Sequence, residues 1–221
     1  SLTSTVFTGA TQEIFRCTSC SFHEFKVPVD FRIVVLPVNG NQSGSPVPLK
    51  HFFFDFNSPG ALPNKTCSRC RSNNTTTSTT AFTTAPPSLM MQLIRFDHTM
   101  TKQFYPASFP YDLDLPGIAA SYSLVAVTRH LSSSLGTQHG GHYVADVKEA
   151  DASWWRCDDE SVTPSLNPTG IGSIDNTPYL LHYEKKLRAG AELGLREIKH
   201  NKTTTKKRDR DKREGGQVER R

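Results

Sequence analysis

No stretch of this 221-residue chain approaches the 18 consecutive apolar residues that a membrane-spanning helix needs. Nor does any N-terminal run have the charged start and apolar middle of a secretory leader; the first residue is Ser1 rather than methionine. A chain opening this way is expected to be a processed product or a fragment with a segment missing upstream. No membrane partner is expected, and the cytoplasm or the nucleus is the expected location. Apolar residues make up only 36%, below the average of a globular domain, and the shortfall lies in a threonine-rich middle and a charged tail. The body of the chain also lacks positive charge. Residues 185–221 hold 14 Lys and Arg against 6 Asp and Glu, which leaves 12 against 15 for residues 1–184. A sequence pI of about 9.0 therefore argues little for a nucleic-acid-binding domain. Any contact with nucleic acid or another polyanion is expected only through the 185–221 tail.

What is present reads mainly as strands. Val6 to Phe15 is an amphipathic lead-in, and "FHEFKVPVDFRIVVLPV" has the branched and aromatic content of strands, with Pro28 and Pro37 at ends or edges. Asn39 to Pro48 is loop, and "LKHFFFDF" is too dense in phenylalanine for a free surface, so it is core or contact surface. Asn73 to Thr84 has too little apolar content to be buried and reads as an exposed or disordered insertion. "PSLMMQLIRF", "FPYDLDL", "SYSLVAVTRH", "GHYVADV", "SWWRCDD" and "TPYLLHYE" then follow as closely spaced strands of an antiparallel sheet with few helices. Beyond Glu184, "KKLRAGAELGLREIK" is compatible with a short helix, and the rest has the composition of a disordered charged tail.

Five cysteines are present, four of them in two CxxC units, Cys17 with Cys20 and Cys67 with Cys70, separated by 46 residues. Four thiolates make up the full tetrahedral shell of a structural zinc, a closed site that clamps hairpin ends and leaves no position for water. Two disulfides or four free thiols are the alternatives. Cys157 is left over, inside a strand beside Trp155.

"GHYVADV" and "SWWRCDD" are separated by the polar "KEADA" and so are placed to form a hairpin. A turn centred on Ala150 sets His142 opposite Asp158, with Cβ atoms about 5 Å apart on one face. A carboxylate on one ring nitrogen fixes the tautomer and raises the basicity of the other, which then acts as a general base. The Gly140 and Gly141 backbone leaves the approach to the ring open, and Trp154 shares the face and packs on the pair. Cys157 points the other way and reads as a core residue. A one-residue slip would separate His142 from Asp158, and a structural histidine is the alternative.

CTSC, CSRC, PSLMMQLIRF, FPYDLDL, YSLVAVTRH, GHYVADV, WWRCDD and YLLHYE, in this order, resemble the C-terminal half to two-thirds of the catalytic domain of ubiquitin-specific proteases. The resemblance runs from about Val6 to Glu184. It implies an α+β, papain-like fold of which this sequence holds the fingers (about 6–86) and the strand-rich palm (about 87–184), without the thumb. By the same resemblance His142 is the catalytic histidine, Asp158 the residue that orients it, and Asp159 an assisting acid. Tyr143 falls beside the channel for the ubiquitin tail, and Cys17, Cys20, Cys67 and Cys70 match the ligands of one structural zinc. The implied activity is thiol-dependent hydrolysis of the bond after the C-terminal glycine of ubiquitin, with ubiquitin or a ubiquitinated protein as partner. The family's nucleophilic cysteine lies in an N-terminal box that nothing here matches. The alternative is therefore a catalytically inactive ubiquitin-binding or scaffold protein; a more distant one is a zinc-stapled protein that binds polyanions through its tail.

Overall fold

A computed structural model describes residues 5–38, 45–53, 59–99, 101–132, 141–173 and 176–187. The chain divides into two units, Ser1–Lys185 and Lys186–Arg221. The short helix expected after Glu184 and the charged tail fall almost wholly outside the described residues, as does most of "FFFDF".

Two sheets carry the first unit. The smaller is built on β1 (Gly9–Cys17), which pairs antiparallel with β2 (His23–Phe25), β3 (Val29–Phe31) and β7 (Thr76–Thr84), and β7 in turn pairs with β6 (Gly60–Ala61). The threonine-rich stretch is thus a strand and not an exposed insertion. Its backbone groups are paired along nearly the whole of β1, from Cys17 opposite Thr76 to Ala10 opposite Thr84, and Thr76 and Phe82 are buried. Branched threonines favour the extended backbone, and a long-range ladder supplies the hydrogen bonds that local composition does not reveal. The expected lead-in over Val6 to Phe15 is mostly β1 itself.

The larger sheet has the order β14-β13-β12-β11-β15-β8-β4, with β10 (Asp112–Asp114) also paired to β11. Its members are β4 (Ile33–Pro37), β8 (Ser88–Ile94), β11 (Ser121–Leu131), β12 (His142–Lys148), β13 (Trp154–Asp158), β14 (Ser161–Pro164) and β15 (Asn176–Lys185). All pairs are antiparallel except β4 with β8, so the sheet is mixed at one edge, and β4 joins it although it precedes residue 86. A second parallel contact links the two-residue strands β5 (Val47–Pro48) and β9 (Ala107–Ser108) beside α1 (Leu49–Phe52). Few helices were expected, and α1 is one turn.

Alternation explains where the core sits. Leu36, Leu89, Met91, Tyr122, Leu124, Val127, Leu181 and Tyr183 come from neighbouring strands, face the same way and are sealed from solvent. Leu49 and Phe53 of the α1 region, together with Phe109, Leu113 and Leu115, close over them. The two tyrosine hydroxyls in this core are satisfied by backbone, Tyr122 donating to the Pro86 carbonyl at 2.6 Å and Tyr183 to that of Pro110 at 2.8 Å.

Further along the same face the sheet becomes polar. Asp146 on β12 is completely buried and accepts hydrogen bonds from Arg129 Nε (2.9 Å) on β11, from Arg156 Nε (2.9 Å) and Nη2 (3.0 Å) on β13, and from Ser165 Oγ (2.8 Å). Arg129, itself buried, also donates Nη2 to the carbonyls of Pro168 (2.9 Å) and Gly170 (2.8 Å). Burial alone would push the Asp146 carboxyl up, but the donors from Arg156, Ser165 and Arg129 outweigh it and hold it below the ordinary range. The stabilisation is therefore present above the ordinary carboxylate pKa and is lost as the pH falls through the depressed folded value. Asp146→Ala leaves two guanidiniums without their anion and is expected to lower the unfolding free energy by about 3–5 kcal/mol. Urea denaturation measures it, and a loss below about 1 kcal/mol would show that the network does not hold the sheet together.

Candidate active site and cysteine cluster

The hairpin β12–β13 brings His142 and Asp158 together, in a register other than the expected one. Ala145 lies opposite Cys157, Asp146 opposite Arg156 and Lys148 opposite Trp154, so the turn centres on Asp151 rather than Ala150. Its closure is visible in the hydrogen bond from the Glu149 amide to the Ser153 carbonyl (2.9 Å) and in the Asp151 carboxylate, which accepts from the Ser153 amide and hydroxyl. The shift amounts to two residues along the partner strand, so parity is kept. His142 and Asp158 remain on one face as diagonal neighbours, within reach of long side chains. Nε2 of His142 meets Asp158 Oδ1 at 2.5 Å, and Asp159 Oδ2 lies 4.0 Å from the same nitrogen. Asp159 starts the turn into β14 with φ of 50°, and its side chain is exposed.

A carboxylate only accepts, so the hydrogen bond to Asp158 keeps the proton on Nε2 and leaves Nδ1 as the basic nitrogen. The Asp158 hydrogen bond raises the imidazole above its ordinary pKa, against the opposing effect of burial, with the Asp159 and Asp158 charges adding to it. For a histidine shifted this way, the stabilising contribution is complete below the unfolded-state value and is lost as pH rises through the raised folded value. Both side chains are a little over 40% exposed, so the pair is open to an approaching group.

Other expected features fall elsewhere. Trp154 does not pack on the pair; it lies at the other end of β13, its ring 6.1 Å from that of Tyr111. Gly140 is outside the described residues, and Gly141 serves a different ring. A Cβ at Gly141 would collide with the buried His130 imidazole, which lies edge-on to Phe96 and tilted against Tyr143. Tyr143, next to His142 in the strand, points to the opposite face, half exposed, with its ring against His130 (4.9 Å) and Tyr179 (5.6 Å). Cys157 also faces away from Asp158 and is half-buried rather than core. The Arg129–Asp146–Arg156 network escaped the sequence reading, although an Asp on one strand and an Arg on the next was a usable signal.

The four remaining cysteines converge at the end of the smaller sheet. Each CxxC turn has the same form. The fifth residue, Ser21 or Arg71, takes a left-handed backbone (φ 58° and 62°) and donates its amide to the first cysteine's carbonyl, at 2.9 and 3.0 Å. Cys17 Sγ lies 3.7 Å from Cys70 Sγ and Cys20 Sγ 3.8 Å from Cys67 Sγ; all four sulfurs are within 4.8 Å of one another, and none is in a disulfide. Tetrahedral bonds of about 2.3 Å place sulfurs about 3.8 Å apart, so the cluster is compatible with a structural zinc. The Thr75 hydroxyl lowers the Cys17 thiol to about 6, and Ser72 lowers that of Cys70. Although the Phe22 backbone hydrogen bond opposes it, burial and the neighbouring sulfurs raise Cys20 to about 12. Four thiols so close cannot all ionise without a cation among them.

Set against known proteins, residues 1–183 match the family model described as ubiquitin carboxyl-terminal hydrolase. Ubiquitin carboxyl-terminal hydrolase 26 of Oryza sativa subsp. japonica is 30% identical over 184 residues, which cover 75% of this chain and 16% of the relative. Ubiquitin carboxyl-terminal hydrolase 17-like protein B of Mus musculus is 33% identical over 125 residues, or 53% of this chain and 25% of the relative. A solved SAGA DUB module bound to monoubiquitin superposes with a TM-score of 0.70 at 22% identity, over 84% of this chain and 42% of the matched chain. The strand-rich α+β architecture is the one seen there. The chain spans less than half of each of these proteins.

The raised basicity of His142 is open to direct measurement. Its ring-proton resonances are expected to titrate above the ordinary imidazole value of about 6.5, and Asp158→Asn to bring the midpoint down. An unchanged midpoint in the variant would mean that Asp158 does not set it.

Proposed function

This chain belongs to the ubiquitin carboxyl-terminal hydrolase family, and from that membership we propose that it binds ubiquitin while carrying only the base half of a cysteine deubiquitinase site. One observation carries the proposal: a carboxylate-oriented imidazole with no thiol beside it among the described residues. Four cysteines are gathered in the cluster and Cys157 faces away, so these 221 residues do not cleave the bond after the ubiquitin C-terminal glycine unaided. The ubiquitin-bound state of the related SAGA modules supports ubiquitin as partner.

A second reading is favoured by the intact His142–Asp158 pair. With a cysteine supplied from outside these residues, His142 Nδ1 takes the thiol proton and the thiolate attacks the glycine carbonyl. Asp158 holds the imidazole and stabilises its charged form, and Asp159 adds negative charge beside it. His142 then returns the proton to the leaving lysine amine, and water releases ubiquitin from the thioester. Tyr143 is assigned to the wall of the channel for the ubiquitin tail. Cys17, Cys20, Cys67 and Cys70 are assigned to one structural zinc, which clamps the two CxxC turns together when bound and has no part in the reaction.

The isolated chain is expected to bind ubiquitin and to leave a fluorogenic ubiquitin substrate intact. Turnover by the chain alone would overturn the first reading, and absence of ubiquitin binding would overturn both. In any longer protein that contains this segment and hydrolyses ubiquitin conjugates, His142→Ala is expected to cut kcat/KM by about 10³-fold or more while binding persists; comparable turnover would sink the catalytic assignment. Elemental analysis is expected to find a single equivalent of zinc, lost in Cys67→Ser, whereas a metal-free native chain would refute the zinc assignment.

A further inference from the structure

The buried arginine network borders a cavity that the proposed chemistry does not use. It measures about 340 Å³, and its walls include Arg129, Arg156, Ser165, Asn167, Gly172 and Asn176. Two guanidiniums share one carboxylate, Asp146, so the network carries an excess of one positive charge. Each arginine spends Nε on Asp146. Nη2 of Arg156 goes to Asp146 as well, and Nη2 of Arg129 to the Pro168 and Gly170 carbonyls. Nη1 of both arginines makes no hydrogen bond among the described residues. Burial disfavours the charged form of Arg129, against the support that Asp146 gives it.

Two further observations point into the same space. Gly172 has φ of +80°, and a Cβ there would meet the Asn176 carbonyl and stand 3.3 Å from Arg129 Nη1, so the missing side chain keeps the way to that nitrogen open. Asn176, another wall residue, has a buried side-chain oxygen with no partner. The orphaned oxygen sits in a cavity walled by two guanidiniums, where a polar ligand would give the Asn176 amide a partner. With its amide turned over, Asn176 presents donors instead of an orphaned acceptor.

We propose that this cavity is a binding site for a small oxyanion of the phosphate class, held between Nη1 of Arg129 and Nη1 of Arg156 with the Asn176 amide as a third donor. Planar guanidinium forks suit the separated oxygens of such an anion, and charge-assisted hydrogen bonds of this kind are about twice as strong as neutral ones. Its negative charge offsets the surplus of the network. Bound there, the anion braces β11, β13 and the start of β15 against one another, beside the strand end that carries Asp158. The site is independent of the ubiquitin chemistry and stands whether or not that reading holds.

Inorganic phosphate is the probe. The Nε–H resonances of Arg129 and Arg156 in the full chain are followed as phosphate replaces chloride at constant ionic strength. Saturable shifts of both are expected, with affinity weakened about tenfold or more by Arg156→Gln. Asn176→Asp, which puts a negative charge into the cavity and leaves Asp146 with both arginines, is expected to abolish binding; it serves if the arginine variant does not fold. Shifts that never saturate, or that persist unchanged in Asn176→Asp, would overturn the proposal.

Discussion

A single buried carboxylate sets the alignment on which the site depends. Asp146 has no access to water, and its four hydrogen bonds reach back to β11, across to β13 and on to the segment after β14. Slipping β12 by one residue would turn Asp146 to the outer face and strand two arginines in the interior, at a cost far beyond that of an ordinary register error. Fixing Asp146 opposite Arg156 also fixes what lies beyond it on the same strands. His142 and Asp158 are four and two residues further along, on the same face, where the hairpin approaches its open end.

Burial and exposure divide that face by function. Near β8 and β15 it is apolar and closed, in the middle it is charged and closed, and at His142 it is charged and open. A general base needs that last combination: enough order to hold one tautomer and enough access to meet a second reactant. On the other face, Gly141 and the His130 ring fit together where β12 begins, so the backbone entering His142 has little room to shift. The cysteine cluster gathers the smaller sheet at one point as Asp146 does the larger, but it joins segments far apart in sequence, whereas the partners of Asp146 are near neighbours.

Much of this was legible. Strand-like composition and alternation located β8, β10, β11, β12, β13 and β15 but not the short β9 and β14, two matched CxxC units announced a shared cluster, and the face shared by His142 and Asp158 followed from parity. The exact pairing did not. Registers centred on residue 150 and on residue 151 keep the same parity and the same faces, so alternation cannot separate them. Charge could have done so, because only the observed register sets Asp146 against Arg156 rather than against Trp154. The threonine run misled for a related reason: its order comes from β1, far away in sequence, and local composition carries no trace of that partner.

The sequence by itself determined which chemical groups exist and which face of a strand each occupies, since backbone pleating imposes both from the order of residues alone. It also determined that no cysteine is free to serve the imidazole: four belong to matched pairs, and the fifth has the wrong parity. Tertiary structure alone decided how far along its partner each strand sits, which ladder orders the threonines, and that two arginines share one anion beside an open cavity. Those outcomes depend on which distant groups satisfy one another's charge and hydrogen bonds once water is removed, and no local pattern encodes that balance.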